Sequence, residues 1–407
     1  MKTLIKSALA CTLLTGLLST TAFAQTTIKG GKIITNTVTG TLPNSTLVID
    51  KNGVVSTLLV SDKKHGDKSD NYWITPGFFA PYSTLGLVEV SAVRGTNNTS
   101  ADKTEASVSL RAADSINPHS TSIPVSRLGG VLFAAVAPGS NIDIFGGIGS
   151  VISTSGSFSS ILDDEAFIFI AFDGGSERTG RNRGAAMAYL RAALDDAQNF
   201  NTRFSGPTDG DALRRADAKA LRVALQGQKP LLVAADRAID IHNIISLKSQ
   251  HPSLKISIFG GAEAWMVADE LATANIAVII DPLEDLPYNF DLLGARLDNA
   301  KTLIDAGVNT AFMARTATGG SAHNLRLIAQ HAGNAVANGV SWDDAFKAVS
   351  LVPATIYGHS ELAQIRSGEK ANLVVWDGDP LEITSAPIAI YIDGELQPLT
   401  SRQTELS

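Results

Sequence analysis

Seven histidines are spread through the 407-residue chain, at positions 65, 119, 242, 251, 323, 331 and 359. None forms H-x-H or H-E-x-x-H, spacings that bring two imidazoles onto one cation. His65 falls in a charged loop and reads as solvated. His242 falls inside an expected helix, and His251 precedes Pro252 at its end. His323 and His331 are eight apart in one expected helix, on one face but too far apart to chelate together. Scattered surface or hydrogen-bonded histidines are the plainer reading. Two acidic runs could do acid–base work. Asp163, Asp164 and Glu165 precede an apolar run and read as a solvated loop. Asp281, Glu284 and Asp285 follow one, where they either bind a cationic group or are solvated. Ser150 in "GGIGSVIST" lacks the G-x-S-x-G turn and ordered Asp and His partners of a serine hydrolase. The sole cysteine is Cys11.

The elements around these residues begin with an exported leader. Lys2 and Lys6 precede an apolar stretch, and Ala22-Phe23-Ala24 is an A-x-A cleavage signal before Gln25. The stretch is too short to span a membrane. Cleavage would remove Cys11, leaving no disulfide, thiolate ligand or cysteine nucleophile. It would also take the formal charge from −7 to −9 by removing two lysines. That balance argues against general nucleic-acid binding and gives no membrane-binding patch. With 44% hydrophobic and 6% aromatic residues, the expected core is large, aliphatic and alanine-rich.

Residues 26–72 carry short β-like runs with a hairpin signal at Lys51-Asn52-Gly53. The middle of the chain alternates near-continuous apolar strands ("GGVLFAAVAPG", "AFIFIAFDG", "KPLLVAAD", "LKISIFGG", "IAVIIDP", "VNTAFMA") with helical patterns at 184–199, 211–226, 262–273 and 291–305. Such alternation predicts a parallel sheet covered by helices, and at least seven units fit a (β/α)8 TIM barrel. No G-x-G-x-x-G turn supports a dinucleotide fold, and "FGGIGS" opens no helix to cradle a phosphate. After Gly358 β-like runs return, so both termini are expected to build one small composite β-sandwich. The expected organisation is a leader (1–24), a first sandwich part (25–72), a distorted barrel (73–360) and a second sandwich part (361–407).

These residues resemble a family. "ITPGF" at 74–78, "GGAEAWMVADEL" at 260–271, "SLVPATIYG" at 350–358 and above all "IRSGEKANLVVWDGDPL" at 365–381 resemble the amidohydrolase superfamily, in its imidazolonepropionase-like periplasmic branch. The resemblance implies one or two divalent metals at the C-terminal mouth of the barrel. There they polarise a carbonyl and activate water. It also implies ligands on the first, fourth, fifth, sixth and eighth strands. Those positions fall on Tyr82 and Thr84 in "TPGFFAPYSTLGL", then on Phe169, Asp236, Gly260 and Arg315. Only Asp236 is a competent donor, and Arg315 is cationic. The expectation is therefore an exported protein of this family without its metal centre and with no cofactor, a pseudoenzyme. It would bind a small ligand, or partner an active paralogue or a further copy of itself. The alternative is a hydrolase of C–N bonds acting through an atypical zinc or other divalent site. Tyr82, Ser83, Asp236, Arg237, Glu263 and Arg315 are the expected pocket groups; Arg315 either pairs with Asp236 or reaches into solvent while Asp236 caps the following helix.

Overall fold

A computed structural model describes residues 25–101, 104–140, 142–172, 174–315 and 321–406; the expected leader (1–24) lies outside them. In chain order, four strands come first: β1 (Thr26–Ile34), β2 (Thr41–Ile49), β3 (Val55–Val60) and β4 (Trp73–Pro76). Eight follow: β5 (Phe78–Ser83), β6 (Val131–Val136), β7 (Phe145–Ser153), β8 (Ile161–Ala171), β9 (Leu231–Ala235), β10 (Ile256–Gly260), β11 (Ala277–Ile280) and β12 (Thr310–Phe312). The last three are β13 (Leu373–Trp376), β14 (Pro387–Ile392) and β15 (Glu395–Leu396).

The two ends of the chain share one sheet, in the order β15-β14-β13-β4-β1-β2-β3. Its halves join where β4 runs antiparallel to β13, Ile74 opposite Val375. Trp73–Pro76 was expected to open the barrel; its hydrogen bonds instead make it the central strand of this terminal sheet. The strands alternate, and Ile33, Leu47, Ile49, Ile74, Leu373 and Val375 meet in one buried cluster. Asp50 shapes the hairpin before β3 by accepting the N–H groups of Asn52 and Val54. The turn between β14 and β15 has positive φ at both Asp393 and Gly394, as a two-residue hairpin demands. These two turns touch: a Cβ on Gly394 would lie 2.1 Å from the Cα of Gly53.

The second sheet runs in order from β5 to β12 and is a nearly closed barrel; β12 lies beside β5 without a ladder between them among the described residues. All neighbours are parallel except β7, which is antiparallel to both β6 and β8. This strand is the glycine-rich stretch that sequence patterning left unassigned. Its glycines leave room for the rings of Phe167 and Phe169 on β8, so the run lacks the β-branched residues that signal a strand. The chain therefore passes from β6 to β8 by hairpins rather than by helical crossovers. Asp163, Asp164 and Glu165, expected in a loop, lie within β8, paired with His359, Arg111 and Lys229. The helix expected to hold both His323 and His331 is broken. Ser321–Asn324 and Ile328–Ala337 are separate helices around a tight turn at Leu325–Leu327.

The sheet and the barrel are tied by Trp376 of β13. Its indole N–H donates to Thr75 Oγ1 at 2.9 Å, and its ring packs on Phe78 at 5.4 Å. Among the described residues no helix is long and apolar enough to cross a membrane.

Candidate functional site

Parallel strands carry their C-terminal ends to one mouth, so the residues following β5, β8, β9, β10, β11 and β12 converge there. Tyr82 near the end of β5 meets Phe169 of β8, ring centroids 5.2 Å apart, and Phe259 of β10, 4.4 Å apart. The three rings form one aromatic block. Burial holds the Tyr82 phenol well above its ordinary pKa, so it is a neutral hydroxyl at neutral pH. The neighbouring Tyr357 donates to the Pro81 carbonyl at 2.5 Å and fixes the end of β5.

Opposite this block the expected charge pair is present. The Arg315 guanidinium lies 3.2 Å from Asp236 Oδ1 and 3.4 Å from Oδ2. Gly260, directly after Phe259, makes the space. Its φ is +101°, and a Cβ there would lie 2.3 Å from Asp236 Oδ1 and 3.4 Å from Arg315 Nη1. A side chain at this position and the ion pair exclude one another. Glu284 completes the centre, 3.6 Å from the same guanidinium. Burial drives the Asp236 carboxyl upward in pKa against the pull of Arg315. Burial, with Asp236 and Asp281 adding to it, pushes Glu284 up to about 7 although Arg315 opposes. Arg315 stays charged: burial works against the cation, and Asp236 and Glu284 outweigh it. One guanidinium thus serves two carboxylates that are only partly exposed.

Asp281 reaches the mouth too. It accepts the backbone N–H of Arg315 at 2.9 Å and pairs with His331 Nδ1 at 2.8 Å. Tyr288 stands over Arg315 at 5.8 Å. A second network flanks this one: Arg183 lies 2.9 Å from Asp240 and 2.5 Å from Asp291.

The other expected pocket residues do different work. Ser83 is fully buried, and its Oγ accepts the Leu85 N–H, closing the turn after β5. Thr84 is buried in the same turn, its carbonyl accepting from Leu87. Glu263 accepts the Ala238 N–H at 2.9 Å, satisfying the first turn of helix Ala238–Gln250. Arg237 precedes that helix beside Asp240, whose carboxyl burial raises and Arg183 and Arg237 pull down. The sequence reads Glu284 with Asp281 and Asp285 as a group that either binds a cation or is solvated, and His331 only as sharing a helix face with His323. The signal for Glu284 was position, since it follows β11 within one loop; His331 lies in the second helix after β12 and carried no such signal.

For a divalent metal, this arrangement offers Asp236 alone from the six expected positions, and that carboxylate is already hydrogen-bonded to a cation. Among the described residues no cluster of three His, Cys, Asp or Glu side chains is placed to hold an ion. The aromatic block and the guanidinium therefore do not fit one.

A sequence model of the amidohydrolase family matches residues 211–399. Over 62 residues the chain is 44% identical to the amidohydrolase tasK of Hapsidospora irregularis, a stretch making up 14% of this chain and only 6% of that protein. In three dimensions it is similar to an amidohydrolase from Thermotoga maritima MSB8, with a TM-score of 0.79 and 23% identity over 91% of this chain and 98% of that one. It is also similar to a prolidase solved with N-methylphosphonate-L-proline, with a TM-score of 0.55 and 16% identity over 92% and 99% of the two chains. These structural likenesses are likenesses of fold.

Proposed function

The chain belongs to the amidohydrolase superfamily, and from that premise we propose that it is an exported member whose metal centre has given way to a charge pair, so that it acts by binding. The observation carrying this reading is the pair Arg315–Asp236 seated in the hollow above Gly260. A permanent cation there repels a divalent ion, and the neutral phenol and phenyl rings beside it replace none of the lost donors. The exposed apolar side chains Leu286, Phe290 and Leu293 on the loop after β11 support a partner at the mouth, an active paralogue or a second copy. Metal analysis of protein purified without chelator tests the central point. We expect well under one equivalent of zinc, and no dipeptide hydrolysis that a chelator abolishes and zinc restores. Either a stoichiometric metal or such restorable turnover would overturn the proposal.

A second reading, hydrolysis of C–N bonds through an atypical metal site, draws on Glu284 and the pair Asp281–His331 beside the mouth. The same measurement separates the two. Export rests on the leader at residues 1–24: secreted protein should begin near Gln25 by mass spectrometry, and an intact Met1 or a lipid on Cys11 would reject it.

A further inference from the structure

Far in sequence from the mouth residues, a cleft of about 690 Å3 opens between the loop joining β1 to β2 and the helix Trp342–Ala348. Its lining is mainly apolar, from Ile34, Val38, Phe346 and Leu351. The loop that forms its lip is rigidly held. Asn36 Nδ2 donates to Ser350 Oγ at 3.0 Å and to the Ala363 carbonyl at 2.9 Å, and Thr35 Oγ1 donates to the Gly40 carbonyl at 2.7 Å. The cavity is thus formed before any occupant arrives, which spares an occupant the cost of ordering it.

Two cations line this cleft, Lys347 and Arg366, against one carboxylate, Asp343. Among the described residues the Lys347 side chain makes no hydrogen bond or ion pair, and the Arg366 side chain donates only to the neutral Gln364. In a chain with 40 acidic and 33 basic residues, two basic side chains without carboxylate partners on one apolar cavity are a charge arrangement left for a ligand to complete. The volume is in the range of small-molecule sites. We propose that this cleft binds a small aryl carboxylate, the ring in the apolar cavity and the anion on Lys347 and Arg366. This site and the proposed mouth function are independent.

The test titrates the chain with 1-naphthoate and, in parallel, with neutral 1-naphthamide, by calorimetry. For a ligand of this size, saturable binding at about 1 mM or tighter is expected. The naphthamide should bind at least about tenfold more weakly, since it forgoes the charge-assisted contacts. Lys347→Glu with Arg366→Glu should weaken naphthoate by at least about tenfold while leaving the melting temperature unchanged, both residues being exposed. The proposal is overturned by absent saturation up to several times about 1 mM, by naphthamide matching naphthoate, or by the double variant binding as the parent does.

Discussion

Gly260 and Arg315 act as one unit. Only a residue without Cβ leaves Asp236 and the guanidinium their contact. Gly260→His should therefore not recreate a metal ligand. It should strain a backbone at φ +101° and break the pair, lowering stability by about 3 kcal/mol or more, as loss of one partner of a buried pair does. Chemical denaturation measures this, and a neutral effect would mean the hollow is adaptable. Arg315→Ala should cost about 3–5 kcal/mol and its combination with Asp236→Ala distinctly less than the sum. Strict additivity in that cycle would show that the two residues do not interact energetically. Glu284 makes a pH prediction. Its folded pKa of about 7 lies above the ordinary 4.5, so the folded state holds the proton longer than the unfolded state. Its contribution is present below about pH 4.5 and lost as pH rises towards 7, a decline of up to about 3 kcal/mol. His359, raised chiefly by its hydrogen bond with Asp163, acts in the same direction: its contribution is full below the ordinary histidine value and lost as pH rises through the folded one. Urea unfolding at pH 5 and 8 should show greater stability at pH 5, and Glu284→Gln should flatten the difference. A parent slope retained in that variant would remove Glu284 from the explanation.

Among the elements, the contact of two hairpin turns from opposite ends of the chain holds the terminal sheet in register. Gly394 has φ +85° and no room for a Cβ, whereas Gly66 has φ +78° and open space around it. Ala at Gly66 therefore samples backbone strain alone, about 1–2 kcal/mol. Gly394→Ala should cost at least about 1 kcal/mol more, because the Gly53 backbone must move. Equal melting temperatures for the two variants would refute the contact. The elements were legible to different degrees. Asn52-Gly53 announced the first of these turns, and apolar runs announced seven of the eight barrel strands. The eighth, β7, was hidden because its glycines serve the bulky rings of β8, a requirement set by a neighbour and absent from its own periodicity.

At the scale of the molecule, β4 is the joint. It pairs with β1 from one end of the chain and β13 from the other, and Trp376 fastens the sheet to Phe78 of the barrel. A chain ending at residue 370 would lose β13, β14 and β15, uncover Ile74 and Val55, and leave an open edge on β4. It should show no cooperative melting, as monitored by circular dichroism; a full-amplitude transition near the parent temperature would mean the barrel folds without the sheet. What the sequence determined by itself was the alternation that makes a barrel and the union of the termini, because both follow from period; the family resemblance brought Asp236 and Arg315 to one mouth, and only the tertiary structure decided that they pair. Only the tertiary structure decided that Glu284 shares that guanidinium, that His331 turns to Asp281, that Ser83 and Glu263 serve the backbone, and that Trp73–Pro76 belongs to the terminal sheet. Those outcomes depend on burial and on side-chain distances between elements far apart in the chain, which no local pattern encodes.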